Sequence, residues 1–275
     1  MNVLIGFLIV LVAAAIAITA MLLVRRRAPD GGYFNDGDRA AGVFGVLATG
    51  FSVLLGFLIF LAFTSYDNAR TGAETEALTV AQQVRTAQSF APAVRDELVG
   101  ELVCYARSVT FVEWPRMKAG TQGEQLNPWG FDLFTTLQTI EPSSNSEQSA
   151  YDHWLDQTSD REVARNARIH GAVGIIPSPL WFALFFASAI ILVFMLFFAD
   201  SGERAVVQGL LIGSVVAVLV TLLLLLRFLD NPIQEGIGGL EPNAMERTIV
   251  ILDEIFQATG STVELPCDAN GVALG

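Results

Sequence analysis

The sequence predicts an all-α integral membrane protein: four transmembrane helices, with a helical domain inserted between the second and the third. Three observations carry this. Uncharged apolar runs occupy residues 3 to 24, 42 to 63, 180 to 199 and 205 to 226, each long enough to cross the hydrocarbon of a bilayer as a helix. Arginines gather in the two short loops between paired runs, Arg25, Arg26, Arg27 and Arg39 in one and Arg204 in the other. The segment between the second and third runs lacks such a stretch, yet its apolar residues recur at helical spacing.

Taken in order, residues 1–64 hold the first two spans and an Arg-rich loop. The first run lacks the leading positive charge of a secretory signal and has its arginines after it, so it is expected to stay as an uncleaved anchor. Because positive charge is retained in the cytoplasm, both short loops are expected there. The N-terminus, the soluble domain of residues 65–178 and the acidic tail of residues 230–275 then lie outside a bacterial plasma membrane. Residues 179–229 form the second transmembrane hairpin.

The second span is expected to continue outward as one helix, with Ala69, Ala73, Ala77, Val80, Val84 and Ala87 on its buried stripe and its end before Pro92. A helix over 93–112 follows, with Leu98, Leu102, Tyr105, Val109 and Val112 on one face and a halt at Trp114 and Pro115. A loop covers 118–127 and includes Gly120 and Gly123. Asn127 as N-cap with Pro128 at the first position opens a third helix to Ile140. A fourth, from Ser146 to about Ile169, leads back to the membrane through Gly171, Gly174, Pro177 and Pro179. The residues from Asp268 to the end are expected to fray.

Charge divides unevenly. Residues 64–178 hold 15 acidic and 9 basic side chains, residues 228–275 hold 8 and 1, and the short loops 5 of each. That face repels nucleic acid and anions and concentrates cations or basic partners; the plainer reading is a solvated surface. Cys104 and Cys267 fall on the same side, where a disulfide is permitted; a buried free thiol at Cys104 is the alternative.

Chemistry of an enzyme is not indicated. His153 and His170 have no metal-ligand spacing, no phosphate loop or nucleophile elbow occurs, and adjacent Asp96 and Glu97 do not share a helical face. No catalytic residue, metal or cofactor is assigned. Other polar residues read as local structure: Glu113 pairing with Arg116 or Lys118, Trp114 as a corner, Asp230 neutralising Arg227, Asp67 pairing with Arg70.

Small residues mark close helix approach, at Gly209, Gly213, Ala217 and Thr221 on the fourth span and at Ser52 and Gly56 on the second. On the second span, Phe57, Phe60, Thr64, Asp67, Thr71 and Glu74 follow spacings of three and four, which aligns them on one face. Around the axis of a homo-oligomer this stripe makes an apolar constriction opening into carboxylate rings, an arrangement that favours cations. Ordinary packing of the phenylalanines is the competing reading.

The run LLGFLIFLAFTSYDNAR from Leu54 to Arg70, the stretch YARSVTFVEWP from Tyr105 to Pro115 with Gly120 after it, and Leu229-Asp-Asn-Pro-Ile233 followed by Glu241 and Pro242 resemble the bacterial bestrophin-like family of unknown function. The resemblance spans roughly residues 40 to 245. It implies four spans with a helical insert and brings no assigned reaction. The bestrophins whose name the family borrows are pentameric anion channels with an apolar neck lined by the second span. Two features depart from them: their insert is cytosolic, whereas the arginines here place it outside, and an acidic outer face is a poor vestibule for anions. Two functions follow, an oligomeric ion channel favouring cations, or a membrane-anchored scaffold whose outer domain binds a partner.

Overall fold

The computed structural model describes residues 3–121, 127–234, 236, 238–259 and 263–274, without the side chains of 255–259. The chain divides into two compact units, the first comprising Met1–Ser65, Gly174–Asn231 and Glu235–Gly238, the second Tyr66–Val173, Pro232–Gln234 and Gly239–Gly275.

The first unit holds α1 (Val3–Arg25), the opening part of α2 (Gly37–Ala87), α7 (Ser178–Leu196) and α8 (Ala205–Leu229). All four helices have the length and apolarity to cross a membrane, and their outward side chains are apolar, Phe7, Val46, Phe182 and Leu210 among them. Such helices satisfy every backbone polar group internally, which is what a lipid environment demands. Helix α8 packs on α1 through its small residues: a Cβ on Gly209 would stand 3.6 Å from Ile18, and one on Gly213 only 3.0 Å away. The matching ridge on α2 makes no such close approach among the described residues, since a Cβ on Gly56 would meet nothing within 4 Å. Ser52 lies exposed beside it, whereas Ala217 is half-buried.

The two short loops meet. Arg25 donates to the Ser201 carbonyl at 2.9 Å, Ser201 donates to Asp30 at 2.5 Å, and the Gly31 amide donates to Asp200 at 3.0 Å. Asp230 does not neutralise Arg227. It accepts from the amides of Ile175 at 2.8 Å and Ile176 at 3.0 Å and from the Trp181 indole at 3.4 Å, because the entry to α7 presents backbone donors that lack helical partners.

The second unit holds the rest of α2, α3 (Pro92–Ser108), α4 (Trp114–Lys118), α5 (Pro128–Gln138), α6 (Asn145–Gly171) and α9 (Asn243–Thr259). Leu98, Leu102, Tyr105, Leu133, Leu137, Trp154 and Leu252 fill its core. Asn127 caps α5 by accepting from the Trp129 amide at 3.2 Å, and Ser144 caps α6 by accepting from the Glu147 amide at the same distance. Of the loop expected over 118–127, residues 122–126, Gly123 included, lie outside the described residues.

The expected halt at Pro115 does not occur. A five-residue π-helix, Val109–Glu113, joins α3 directly to α4. The wider turn accommodates a proline that has no N–H and whose ring would strike the carbonyl four residues back. Residues 268–274 of the tail are tied down where fraying was expected, and Gly275 lies outside the described residues. Cys104 and Cys267 form a disulfide with Cα atoms 5.7 Å apart, the Asp268 amide donates to the Val272 carbonyl at 2.9 Å, and the Trp129 indole donates to the Gly271 carbonyl at 2.7 Å. These cross-links and buried bonds order a segment whose small polar residues would otherwise stay loose.

Gly72 sets how close α2 and α6 come. A Cβ there would lie 2.7 Å from both the Ala164 carbonyl oxygen and the Arg168 amide nitrogen, backbone atoms that cannot rotate away. Gly72→Ala should therefore destabilise the protein by about 1–3 kcal/mol through overpacking, although alanine favours an isolated helix by about 1 kcal/mol. Chemical denaturation followed by tryptophan fluorescence checks this, and a stabilised variant would refute the close approach.

Candidate functional site

Helix α2 runs unbroken for 51 residues and has two faces. Leu55, Leu58, Ala62 and Ala69 are buried. On the other face all six residues of the predicted stripe, Phe57, Phe60, Thr64, Asp67, Thr71 and Glu74, are exposed. Phe57 is 58% and Phe60 63% exposed, so most of each residue lies outside the packing of its own chain. Thr64 returns its hydroxyl to the Phe60 carbonyl at 3.0 Å.

Below the phenylalanines the polar residues differ in freedom. Arg70 pairs with Glu74 at 3.1 Å rather than with Asp67. The four-residue step places the longer carboxylate alongside the guanidinium, a geometry that stabilises exposed helices modestly. Glu74 is thereby partly compensated, while Asp67 acts on the same guanidinium through charge alone.

A buried charge network lies on another face of the second half of α2. Arg168 on α6 donates to both oxygens of Glu76, at 2.5 and 3.0 Å, and to Glu113 at 2.8 Å, while its guanidinium lies 5.5 Å from the Trp114 ring. Arg165 also reaches Glu113, at 3.1 Å, and Tyr105 donates to Glu76 at 2.6 Å. One turn along, Arg161 donates to Gln83 at 2.7 Å and stands 4.8 Å from the Tyr105 ring. Burial alone would lift the Glu113 carboxyl, but Arg168 and Arg165 outweigh it and hold it below the usual range. For Tyr105 burial and then Glu76 act together and push the hydroxyl well up, so it remains a donor. Burial would lower the Arg168 guanidinium, and Glu76 reverses that and raises it.

Glu113 thus does not pair with Arg116 or Lys118. The π-turn directs it toward α6, and Lys118 instead engages Glu241 at 2.9 Å. Sequence reasoning missed this network. Its trace is the spacing of Arg161, Arg165 and Arg168 at steps of four and three, which places three cations on one face of α6 where a solvated helix would spread them. Trp114 is not the expected corner, since the chain runs on helically through it into α4; it is buried, with its indole donating to the Leu240 carbonyl at 3.3 Å. His153 is exposed, and no three His, Cys, Asp or Glu side chains among the described residues are placed to hold a metal ion.

The network fixes the second half of α2, while the stripe presents apolar, hydroxyl and carboxylate groups in sequence along one face. Among the described residues, the stripe brings no nucleophile to a base.

A family model, the Bestrophin-like domain, matches residues 8–236. No curated protein matches the sequence. Among solved structures, a variant of a bacterial bestrophin homologue from Klebsiella pneumoniae is similar with a TM-score of 0.66 at 14% identity, over 95% of this chain and 100% of that one. A structure described as a membrane protein is similar with a TM-score of 0.65 at 13% identity, over 92% of this chain and 99% of that one.

Proposed function

The chain belongs to the Bestrophin-like family, and from that premise we propose that it is an oligomeric ion channel favouring cations, with α2 of each subunit at the axis. The observation that carries this reading is the exposed stripe. Two large aromatic rings left out of the chain's own core suit a ring of subunits in which they form an apolar neck, and such necks gate by dewetting. Asp67 below them supplies the ring of negative charge. The unpacked Ser52 and Gly56 are available to a neighbouring subunit's helix.

Two observations support a topology with the second unit outside the cytoplasm: arginines in both short loops and a disulfide in the second unit, which persists in oxidising compartments. A second reading, a membrane-anchored protein whose helical unit holds a partner, is favoured by exposed Phe131 (69%) and Phe134 on α5.

End-on averages of the purified protein are expected to show a closed ring of four or more subunits. A monomer or an axis-free dimer would refute the channel and favour the partner-binding reading. In reconstituted membranes Phe60→Ala should raise the leak, and Asp67→Asn should reduce the preference for cations. A conducting protein indifferent to both substitutions has its pore elsewhere.

A further inference from the structure

Away from α2, a cleft of about 510 Å³ opens in the second unit between α3, α5 and the tail. Five carboxylates line it, Asp96, Glu97, Glu101, Asp132 and Glu264, and no basic side chain does so among the described residues. The nearest cation in sequence, Arg95, is engaged with Asp96 at 2.9 Å.

Glu101 is the informative member. It is only 7% exposed. Its Oε1 accepts from the Thr136 hydroxyl at 2.8 Å, while its Oε2 is buried with no hydrogen-bond partner. The same hydroxyl stands 3.5 Å from Glu97, and having one proton it cannot serve both carboxylates well. Burial pushes the Glu101 carboxyl up to about 7 against the lowering bond from Thr136, and Glu97 and Asp132 push the same way. An orphaned buried acceptor is costly, so the site lacks a donor of positive charge.

The chemistry of that donor follows from size and spacing. The acids do not converge as three ligands around one metal ion, and the volume lies in the range of roughly 300–1,000 Å³ typical of small organic ligands. Apolar Val263 and Pro266 lie among the acids and suit methylene groups. The disulfide fixes this tail wall against α3, where Pro266 and the Glu264 carbonyl sit so near Gly100 that a Cβ there would stand 3.2 and 3.4 Å from them.

We propose that this cleft binds a small organic polycation, an alkyl di- or polyamine, whose ammonium groups reach Glu101, Glu97 and Asp132 while its methylenes lie against Val263 and Pro266. Binding is independent of conduction and belongs to the second unit.

Calorimetric titration of the full-length purified protein with spermidine tests this. Saturable binding at one site per chain is expected, weakened about tenfold or more by Glu101→Gln and by Asp132→Asn, since each removes a charge-assisted hydrogen bond. Asp156→Asn, on exposed α6 surface, should leave it unchanged. Glu97→Gln, at an exposed position, keeps the test decisive should Glu101→Gln fail to fold, and a melting curve for each variant separates the two cases. Absent saturation, or equal weakening by Asp156→Asn, would reduce the cleft to diffuse negative surface and overturn the proposal. Tight calcium binding, lost in the same variants and not displaced by spermidine, would make it a metal site instead and overturn it too.

Discussion

Replacing Arg168 with Met is expected to destabilise the second unit by about 3–5 kcal/mol, the cost of leaving a buried ion pair without one partner. Arg168 is 1% exposed in its side chain and Glu76 0%, so neither charge has water to fall back on. Without the guanidinium, Glu76 keeps, among the described residues, only the Tyr105 hydroxyl at 2.6 Å, and Glu113 keeps Arg165 and the Asn127 amide, at 3.1 and 3.0 Å. Glu76 would have to take up a proton or draw in water, and each loosens the packing of α2 on α6. The double variant Glu76→Leu with Arg168→Met should recover most of the loss, because apolar groups of similar volume need no partner. Thermal and chemical unfolding of the four proteins forms a double-mutant cycle. A loss below about 1 kcal/mol in Arg168→Met would mean the pair behaves as a solvated one.

The same network marks the boundary of what the sequence reveals. The four spans were legible because lipid imposes one local requirement, a long uncharged helix, and nothing distant can override it. Asn127 with Pro128, and the polar entry to α6, were legible because caps act within three residues. The exposed stripe on α2 was legible from helical spacing alone. By contrast, Glu113 passes over nearby Arg116 and Lys118 for arginines 52 and 55 residues away, since the π-turn alters which way it points. Gly72 looked incidental until Ala164 and Arg168 were placed against it. Helix α9 was hidden in an acidic tail, although Met245, Thr248 and Leu252, all buried, follow helical spacing. The acidic cleft was not foreseen, because Asp132 and Glu264 reach α3 only through the tertiary fold. Pairing across long separations is where single-sequence reasoning stops.

Removing the disulfide by Cys104→Ala with Cys267→Ala is the other change expected to have a large effect. The bridge closes a sequence separation of 163 residues, and in the chain-entropy picture a loop of that length is worth about 5 kcal/mol. The loop here contains α7 and α8, which remain helical in a bilayer even when the second unit unfolds. The unfolded chain is therefore already constrained, and a loss of about 2–4 kcal/mol is expected. The tail should loosen first, because Trp129 bonding to the Gly271 carbonyl at 2.7 Å and Arg107 bonding to the Asp268 carbonyl at 3.2 Å are then, among the described residues, the polar ties that hold 267–274 to the helices. Limited proteolysis should cut the double variant after residue 263 while sparing the parent protein. The bond also reports the compartment. A thiol reagent applied to protein denatured directly from cells should label neither cysteine before reduction and both after it. Two labelled cysteines before reduction would mean that the second unit faces a reducing cytoplasm, as the insert of bestrophins does, and the arginines of the short loops would then need another explanation than retention.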